Sequence, residues 1–356
     1  MKKFVLSVFV LLTAFLSVKT TFASAQSYAP NSTAEIVMEV DSNRVIHEKN
    51  AHEKKYMAST TKILTAITVI ENCDLNSKVA VGNETVGIEG SSIYLRAGEV
   101  LTVKELLYGL MLRSGNDCAE TLAVFCSGSI KDFALLMNKT AEKIGSKNSN
   151  FVNPHGLHDD NHYTTAYDLA LISCYAMKND NFREIVGTKS VKISNSLGEN
   201  QRLLINKNKM LKNLEGETGI KTGYTKKAGR CLVSSCMRDG VEYVSVVLNC
   251  GPMFERSTEL LNSAFKNYSV KRIVDSENIL AFIPINGSDE ECAVGIKKDI
   301  LLPLTEIESD NLDIVINVPK CVDRPIKKEE IIGSLDIYYQ NNLLFSEKIY
   351  TIIDIK

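Results

Sequence analysis

Residues 59–70 read Ser-Thr-Thr-Lys-Ile-Leu-Thr-Ala-Ile-Thr-Val-Ile, a stretch in which apolar side chains recur at helical spacing directly after a run of hydroxyl residues. Ile63 and Ile67 fall on one face of a helix, and Ser or Thr residues are typical of a helix start. The pattern predicts a helix that begins at or near Ser59. Ser59 and Lys62 are three residues apart, so their side chains share a face and lie within reach of a hydrogen bond.

These two side chains are suited to act as a nucleophile and its activating base. A serine hydroxyl is a weak nucleophile until a base removes its proton, and a lysine serves as that base only when burial or a neighbouring cation lowers its pKa. Lys221, much later in the chain, is a candidate for that cation. A helix start would also bring the backbone N–H of Ser59 close to a developing oxyanion. Because Ser-x-x-Lys alone is common at solvated helix starts, the hypothesis depends on its partner motifs.

A second motif, Ser114-Gly115-Asn116, follows a segment with the signature of a capped helix. Thr102 and Glu105 have the spacing of a capping box, and the apolar stripe after them stops just before Ser114. Asp117 is predicted to begin the next helix, which puts the motif in a tight loop between two helices. The glycine permits a turn that points both neighbouring side chains the same way. We interpret Ser114 as a proton relay towards the leaving group and Asn116 as an amide that holds a peptide substrate.

The third motif, Lys221-Thr222-Gly223, lies on a predicted strand. Gly223 lets a substrate backbone approach closely, and an edge strand can pair with an extended peptide. Lys221 and the Thr222 hydroxyl would suit a terminal carboxylate. Alternation along a strand places those two side chains on opposite faces, so a joint contact requires help from the strand's twist.

The pattern along the rest of the chain predicts an α+β fold. Residues 33–40 and 44–47 read as an N-terminal β-hairpin. Three further strands are predicted at residues 219–225, 230–237 and 241–250. With helices between them and a helix at residues 257–268, these strands predict a five-stranded antiparallel sheet flanked by helices. Short β-like runs after residue 268 predict a small all-β domain at residues 269–356.

The N-terminus has the features of an export signal. A charged start at Lys2 and Lys3 precedes an apolar run from Phe4 to Leu16, and Ala23-Ser24-Ala25 resembles a cleavage site. We therefore predict a signal peptide at residues 1–25 and an exported, extracytoplasmic protein, secreted or in the cell envelope. The first domain then spans residues 26–268.

Charge and composition exclude some classes of partner and cofactor. The formal net charge is −2, and no basic cluster of the kind that binds nucleic acid is present. The nine cysteines lie mostly in apolar runs, which favours free buried thiols, and no C-x-x-C pair suggests zinc. His155, His158 and His162 span a Pro/Gly loop without a metalloprotease spacing. We predict no metal and no cofactor.

Together with these motifs, the chain resembles a low-molecular-mass penicillin-binding protein of the D-alanyl-D-alanine carboxypeptidase type, serine peptidase family S11. The resemblance covers nearly the whole mature chain and implies a β-lactamase/transpeptidase-like first domain. The segments that carry it are Met57-Ala58-Ser59-Thr60-Thr61-Lys62, Leu107-Tyr108-Gly109-Leu110, Ser114-Gly115-Asn116, Asn153-Pro154-His155-Gly156-Leu157, Thr164-Thr165-Ala166-Tyr167-Asp168-Leu169 and Gly219 through Arg230.

The resemblance implies removal of the terminal D-alanine from peptidoglycan stem pentapeptides through an acyl-enzyme. Ser59 would attack the penultimate D-Ala carbonyl, Lys62 would accept its proton, and Ser114 would help to protonate the departing D-Ala. Asn116 would orient the acyl chain, and Lys221 with Thr222 would bind the terminal carboxylate. The backbone N–H groups of Ser59 and Tyr224 would form the oxyanion hole. β-Lactam antibiotics should acylate the same serine and inhibit the enzyme.

Three other functions remain open. A peptidoglycan D,D-endopeptidase would use the same residues on cross-links. A β-lactamase would carry a deacylating glutamate between the second and third motifs, and the nearest look-alike, Glu259-Leu260-Leu261-Asn262, follows Lys221 instead. A catalytically inactive wall-binding protein would act through its β domain, although all three motifs are intact.

The C-terminus departs from a frequent feature of the family. Many members end in an amphipathic membrane-binding helix, whereas residues 348–356 read as a strand without a clear polar face. Peripheral association with the membrane or the wall therefore stays an open expectation.

Overall fold

The computed structural model describes residues 33–194, 196–197 and 201–355. The predicted export signal, residues 1–25, lies outside the described residues. Within them, an α+β part is followed by a β part. The domain boundary predicted after residue 268 stays a prediction; a helix ends at Asn267 and the next strand begins at Ser269.

The first part contains nine strands, eight α-helices and two 3-10 turns in the described residues. The strands are β1 (Ala34–Glu39), β2 (Val45–Lys49), β3 (Lys78–Ala80), β4 (Val100–Thr102), β5 (Ser190–Ile193), β6 (Arg202–Ile205), β7 (Glu217–Thr225), β8 (Gly229–Arg238) and β9 (Val241–Leu248). The helices are α1 (Lys62–Asn72), α2 (Val103–Arg113), α3 (Asn116–Ser127), α4 (Ile130–Ile144), α5 (Ala166–Met177), α6 (Asp180–Gly187), α7 (Met210–Asn213) and α8 (Met253–Asn267), with 3-10 turns at Ala58–Thr61 and Asn83–Thr85.

The central sheet has five antiparallel strands in the order β2-β1-β9-β8-β7, so β7 lies at an edge. Helices cover both faces. Ile36 of β1 enters the larger core, which also contains α1, α2 and α5, whereas its neighbour Val37 enters a second core formed with α8. Each strand therefore contributes apolar side chains to both layers, because successive side chains point to opposite faces of the sheet. The predicted five-stranded sheet flanked by helices is confirmed.

Two helix starts differ from the sequence prediction. The α1 helix begins at Lys62, and Ser59 lies on the preceding 3-10 turn, where Thr60 and Thr61 donate their hydroxyls to Met57 and Ala58 carbonyls. Helical backbone, including the 3-10 turn, thus begins close to Ser59 as predicted. The α-helix itself begins three residues later, at Lys62.

At the second motif, α3 begins at Asn116 rather than at Asp117, and its cap residue is Gly115. Asp117 does not cap the helix. Its carboxylate instead accepts hydrogen bonds from the backbone N–H groups of Ile93 and Leu95. The capping box of Thr102 and Glu105 at the start of α2 is present as predicted.

The second part is a small β domain with its own apolar core. It contains β10 (Ser269–Val274), β11 (Ala281–Pro284), β12 (Glu291–Gly295), β13 (Ile300–Leu304), the short helix α9 (Glu306–Ser309), β14 (Leu312–Asn317), β15 (Ile331–Tyr339) and β16 (Asn342–Thr351). Five strands form an antiparallel sheet in the order β11-β12-β16-β15-β14, and β10 pairs with β13. The predicted C-terminal all-β domain is confirmed apart from the single turn of helix.

The cysteines agree largely with the prediction of free buried thiols. All nine are free, and six of them are buried. Cys73 and Cys126 are half-buried, and Cys321 is exposed. In the described part of the chain, no helix is both long enough and apolar enough to span a bilayer.

Candidate active site

The three sequence motifs converge on one cavity of about 470 Å³ beside the edge strand β7. The 3-10 turn before α1, the loop between α2 and α3, and β7 each contribute to its wall. The residues that line it are Ser59, Ser91, Ser114, Lys207, Lys209, Thr222, Gly223, Tyr224, Arg230, Met253 and Phe254. Five of the eight predicted site residues are in this set. The other three, Lys62, Asn116 and Lys221, lie buried beneath the wall.

The position of Ser59 is fixed by close backbone packing from two sides. A Cβ placed on Gly223 of β7 would lie 3.0 Å from the Ser59 backbone nitrogen and 3.0 Å from the Met57 carbonyl oxygen. On the other side, a Cβ on Gly156 would lie 1.9 Å from the Ala58 carbonyl oxygen. A Cβ at Gly156 would overlap the backbone and one at Gly223 would push the turn outwards, so the two glycines let a loop and a strand hold the turn that carries Ser59.

Lys62 is fully buried and its amino group has three oxygen neighbours. Its Nζ lies 2.7 Å from Asn116 Oδ1, 2.6 Å from the His155 carbonyl oxygen and 3.4 Å from Ser59 Oγ. A neutral amine has two N–H donors and one lone pair. In that form the two short contacts would take the two donors, and the lone pair would be left for the Ser59 hydroxyl.

The electrostatics of the site favour that neutral form. Burial, and then the positive charge of Lys221, lower the pKa of Lys62 well below its ordinary value. The first cause disfavours any charge in a low-dielectric interior, and the second is repulsion between like charges. The predicted role of Lys221 as the cation that lowers the Lys62 pKa agrees with this direction.

Ser114 lies at the C-terminal end of α2 in a left-handed conformation, with φ of 65° and ψ of 33°. Its side chain is buried, and its Oγ has no hydrogen-bond partner among the described residues. A buried hydroxyl without a partner is costly in a folded protein and therefore marks a position that a substrate atom can satisfy.

Asn116 connects the floor of the cavity to the loop that precedes α2. Its Oδ1 accepts from Lys62, and its Nδ2 donates to the Glu89 carbonyl oxygen at 2.5 Å. The amide is therefore oriented by two partners, and one N–H of its NH₂ group remains for a further acceptor.

The third motif divides between the two faces of β7, as strand alternation requires. Lys221 is fully buried and donates from Nζ to the Thr222 carbonyl oxygen at 3.0 Å. Burial lowers the pKa of Lys221 to about 7, with a smaller contribution from Lys207. Thr222 and Tyr224 face the cavity from the opposite side of the strand, and Tyr224 is largely exposed.

The sequence prediction missed several residues that the fold brings to this site. The His155 carbonyl contacts Lys62, and Lys207, Lys209 and Arg230 line the cavity. No periodicity distinguishes the two lysines from a solvated loop. Arg230 lies at the start of the predicted strand 230–237, but its pairing with Tyr224 of the strand 219–225 is a feature of the observed register.

The histidine-containing segment has a structural role in this arrangement. Pro154 and His155 carbonyls accept from Thr65 and Lys62, and the His155 ring lies 3.2 Å from a Glu120 carboxylate oxygen. His162 Nε2 contacts the Thr61 hydroxyl at 2.8 Å. In the residues that the structure describes, no group of three or more His, Cys, Asp or Glu side chains is arranged to hold a metal ion.

Comparison with known proteins gives matches over both parts of the chain. The D-alanyl-D-alanine carboxypeptidase family matches residues 20–251, and the penicillin-binding protein 5 C-terminal domain family matches residues 268–356. The D-alanyl-D-alanine carboxypeptidase DacF of Bacillus subtilis (strain 168) is 29% identical over 338 residues, which cover 92% of this chain and 87% of that protein. The D-alanyl-D-alanine carboxypeptidase of Streptomyces sp. (strain K15) is 32% identical over 266 residues, covering 69% and 89% respectively.

A solved structure agrees with these matches at the level of the fold. Penicillin binding protein 5 from Haemophilus influenzae superposes with a TM-score of 0.77 at 23% identity, over 91% of this chain and 97% of that one. The fold is thus that of a penicillin-binding protein. The chain belongs to the D-alanyl-D-alanine carboxypeptidase family, and the predicted enzyme class, a serine-type D-Ala-D-Ala carboxypeptidase, is confirmed.

Proposed function

We propose that the enzyme removes the terminal D-alanine from peptidoglycan stem pentapeptides, and that Ser59 carries the acyl intermediate. The observation that supports this most directly is the amino group of Lys62, which is buried, lowered in pKa and 3.4 Å from the Ser59 hydroxyl oxygen. A neutral amine at that position can take the hydroxyl proton as the oxygen attacks the penultimate D-Ala carbonyl.

The negative charge that develops on the carbonyl oxygen is stabilised by backbone donors. The Ser59 nitrogen lies beside Gly223, and Tyr224 follows Gly223 on β7 and lines the same cavity, so the two N–H groups are candidates to donate to one oxygen. Preorganised donors of this kind stabilise a tetrahedral intermediate more than the planar ester or amide. Gly223 is therefore assigned to the binding of substrate backbone as well as to the position of Ser59.

Ser114 and Asn116 act on the two sides of the scissile bond. The unpartnered Ser114 hydroxyl donates its proton to the nitrogen of the departing D-alanine and regains one from Lys62, the proton that Lys62 took from Ser59, so that Lys62 becomes neutral again; the remaining N–H of Asn116 holds the acyl chain. Water then hydrolyses the ester on Ser59, with Lys62 available again as the base. Each step uses a group that is already oriented before substrate arrives.

The terminal carboxylate of the substrate binds beside the third motif. Thr222 offers its hydroxyl from the cavity side of β7, and Lys221 contributes positive charge from beneath the strand. The two residues therefore act through different means, a hydrogen bond and an electrostatic field, rather than as a joint pair of donors.

The biological setting follows from this substrate. Peptidoglycan lies outside the cytoplasmic membrane, so the predicted signal peptide and the extracytoplasmic location form part of the proposal. β-Lactams carry a carboxylate next to a strained amide and should acylate Ser59 as inhibitors. Peripheral association of the C-terminal domain with membrane or wall stays a proposal of the same kind.

The test is release of D-alanine from a pentapeptide by purified residues 26–356, alongside labelling with a fluorescent penicillin. We expect release and labelling in the wild type, no label on Ser59→Ala, and acylation lowered by about 100- to 10,000-fold in Lys62→Met, which keeps the side-chain volume. Thermal melting checks the fold of both variants. Label retained by Ser59→Ala would contradict the assignment of the nucleophile, and cleavage of cross-linked dimers without release from pentapeptide would indicate an endopeptidase.

A further inference from the structure

The cationic side of the active-site cavity contains a residue that none of the three motifs includes. Of the described residues that line the cavity, three are cationic, Lys207, Lys209 and Arg230, and none is acidic. Like charges gathered around one cavity repel each other, and burial with the neighbouring Arg113 already lowers the pKa of Lys207. Such a cluster favours an anionic ligand between its members.

The position of Arg230 relative to the third motif follows from the sheet register. Arg230 of β8 is paired with Tyr224 of β7, so its side chain is on the same face as those of Tyr224 and Thr222. Thr222 is the diagonal neighbour in that register, a separation that a long side chain spans. Lys221 points to the opposite face, and it is fully buried.

The guanidinium of Arg230 is available for a ligand. Within the described residues its side chain forms no hydrogen bond and no ion pair, and it is exposed at the mouth of the cavity. Lys207, by contrast, already donates to Ser91 Oγ at 3.0 Å. Met253 of α8 lines the same wall without offering a polar atom.

We propose that Arg230 is a specificity residue that binds the carboxylate of the terminal D-alanine together with the Thr222 hydroxyl. A guanidinium binds a carboxylate through two parallel N–H donors, whereas a lysine presents a single point charge. Arg230 thus supplies the donors on the cavity face that Lys221 cannot reach. The inference rests on the proposed function, since it concerns the substrate of the same site.

The experiment compares two substrates and four proteins. The substrates are a diacetyl-Lys-D-Ala-D-Ala tripeptide and its C-terminal amide, which lacks only the carboxylate charge. The proteins are the wild type, Arg230→Gln, Arg230→Lys and Lys226→Gln, where Lys226 is an exposed cation of the adjacent β7–β8 turn that does not line the cavity. Release of D-alanine or D-alaninamide gives kcat/KM for each pair.

We expect Arg230→Gln to lower kcat/KM for the free acid by about 10- to 100-fold and to leave the amide unchanged relative to the wild type. Arg230→Lys should retain part of the activity, and Lys226→Gln should retain all of it. An equal loss on acid and amide, or no loss on the acid, overturns the inference.

The outcome also separates this inference from the proposed function. If the wild type releases no D-alanine from the free acid, the proposed carboxypeptidase reaction fails, whatever the variants do. If the wild type is active and Arg230→Gln is equally active, only the role of Arg230 fails. Thermal melting of each variant excludes loss of fold as the cause of a change.

Discussion

At the level of single residues, the proposed chemistry depends on the protonation state of Lys62. In water a lysine amine is protonated at neutral pH and cannot act as a base. Here the Asn116 and His155 oxygens occupy two directions around Nζ, burial removes water, and Lys221 adds a second positive charge nearby. Burial and the positive charge of Lys221 favour the neutral amine. The two acceptor oxygens orient the amine towards Ser59.

The first prediction at this scale concerns the pH dependence of acylation. In the proposed mechanism acylation requires neutral Lys62, so we expect its rate to rise with pH through the lowered pKa of that residue. Lys221→Met removes a like charge, which raises the Lys62 pKa and moves the rising limb of the rate profile to higher pH. The measurement is the rate of labelling by a fluorescent penicillin between about pH 5 and 9.

The matched control for this prediction is Lys226→Met, which removes one positive charge from an exposed turn. Its rising limb should coincide with that of the wild type, because a solvated charge is screened. If the rising limb of the pH–rate profile stays in place or moves to lower pH in Lys221→Met, then Lys221 does not lower the Lys62 pKa. The position of the limb is informative even if the plateau rate also falls.

At the level of secondary-structure elements, the contact between β7 and the 3-10 turn at Ala58–Thr61 forms the site. Gly223 touches the backbone of Met57, Ser59 and Thr60 without a side chain between them. The strand is at the sheet edge, so one side of it remains available for an extended peptide. The same glycine therefore fixes the position of Ser59, the proposed nucleophile, and leaves the approach to it open.

Gly223→Ala tests this contact. The added Cβ would lie 3.0 Å from two backbone atoms, which cannot rotate away as a flexible side chain can. We expect the turn to shift and the acylation rate to fall by about 100-fold, with most of the fold retained. Gly251→Ala is the control, because its Cβ meets nothing within 4 Å. Equal acylation rates in the two variants would rule out a positioning role for Gly223.

The two parts of the whole molecule are joined by a buried ion pair. Arg44, in the turn between β1 and β2, contacts Glu308 of α9, and its side chain is only 5% exposed. The Arg44 guanidinium also lies 5.4 Å above the Tyr268 ring at the junction. Breaking one half of a buried pair leaves an uncompensated charge, so the junction is expected to depend on both partners.

The prediction for the whole molecule compares the free energy of unfolding of variants of this ion pair. Arg44→Met should lower the free energy of unfolding by about 3 kcal/mol, and adding Glu308→Met should restore most of that loss, because no buried charge then remains. Arg272→Gln, in the exposed pair with Asp275, should change stability by less than about 0.5 kcal/mol. Urea unfolding measures all four proteins. A loss in the double variant equal to that of Arg44→Met would contradict the pairing.

The sequence by itself predicted the features that depend on neighbouring residues. The hairpin at the N-terminus, the capping box of α2, the strand that carries Lys221 and the approach of Lys62 to Ser59 all follow from spacings of a few residues. It also predicted the five-stranded sheet and the C-terminal β domain, because strand alternation and turns recur along those segments.

Tertiary structure alone decided which distant groups share the site. Ser59 lies beside Gly223, Lys62 donates to the His155 carbonyl oxygen, and Arg230 faces the same cavity as Thr222. These contacts join residues far apart in the chain, and no local pattern encodes them. The pKa of Lys62 depends on the burial and charges that such contacts create. Periodicity therefore predicted Ser59 and Lys62 as the reacting pair, whereas packing lowers the pKa of Lys62 and brings the Arg230 cation to the face of the sheet that carries Thr222.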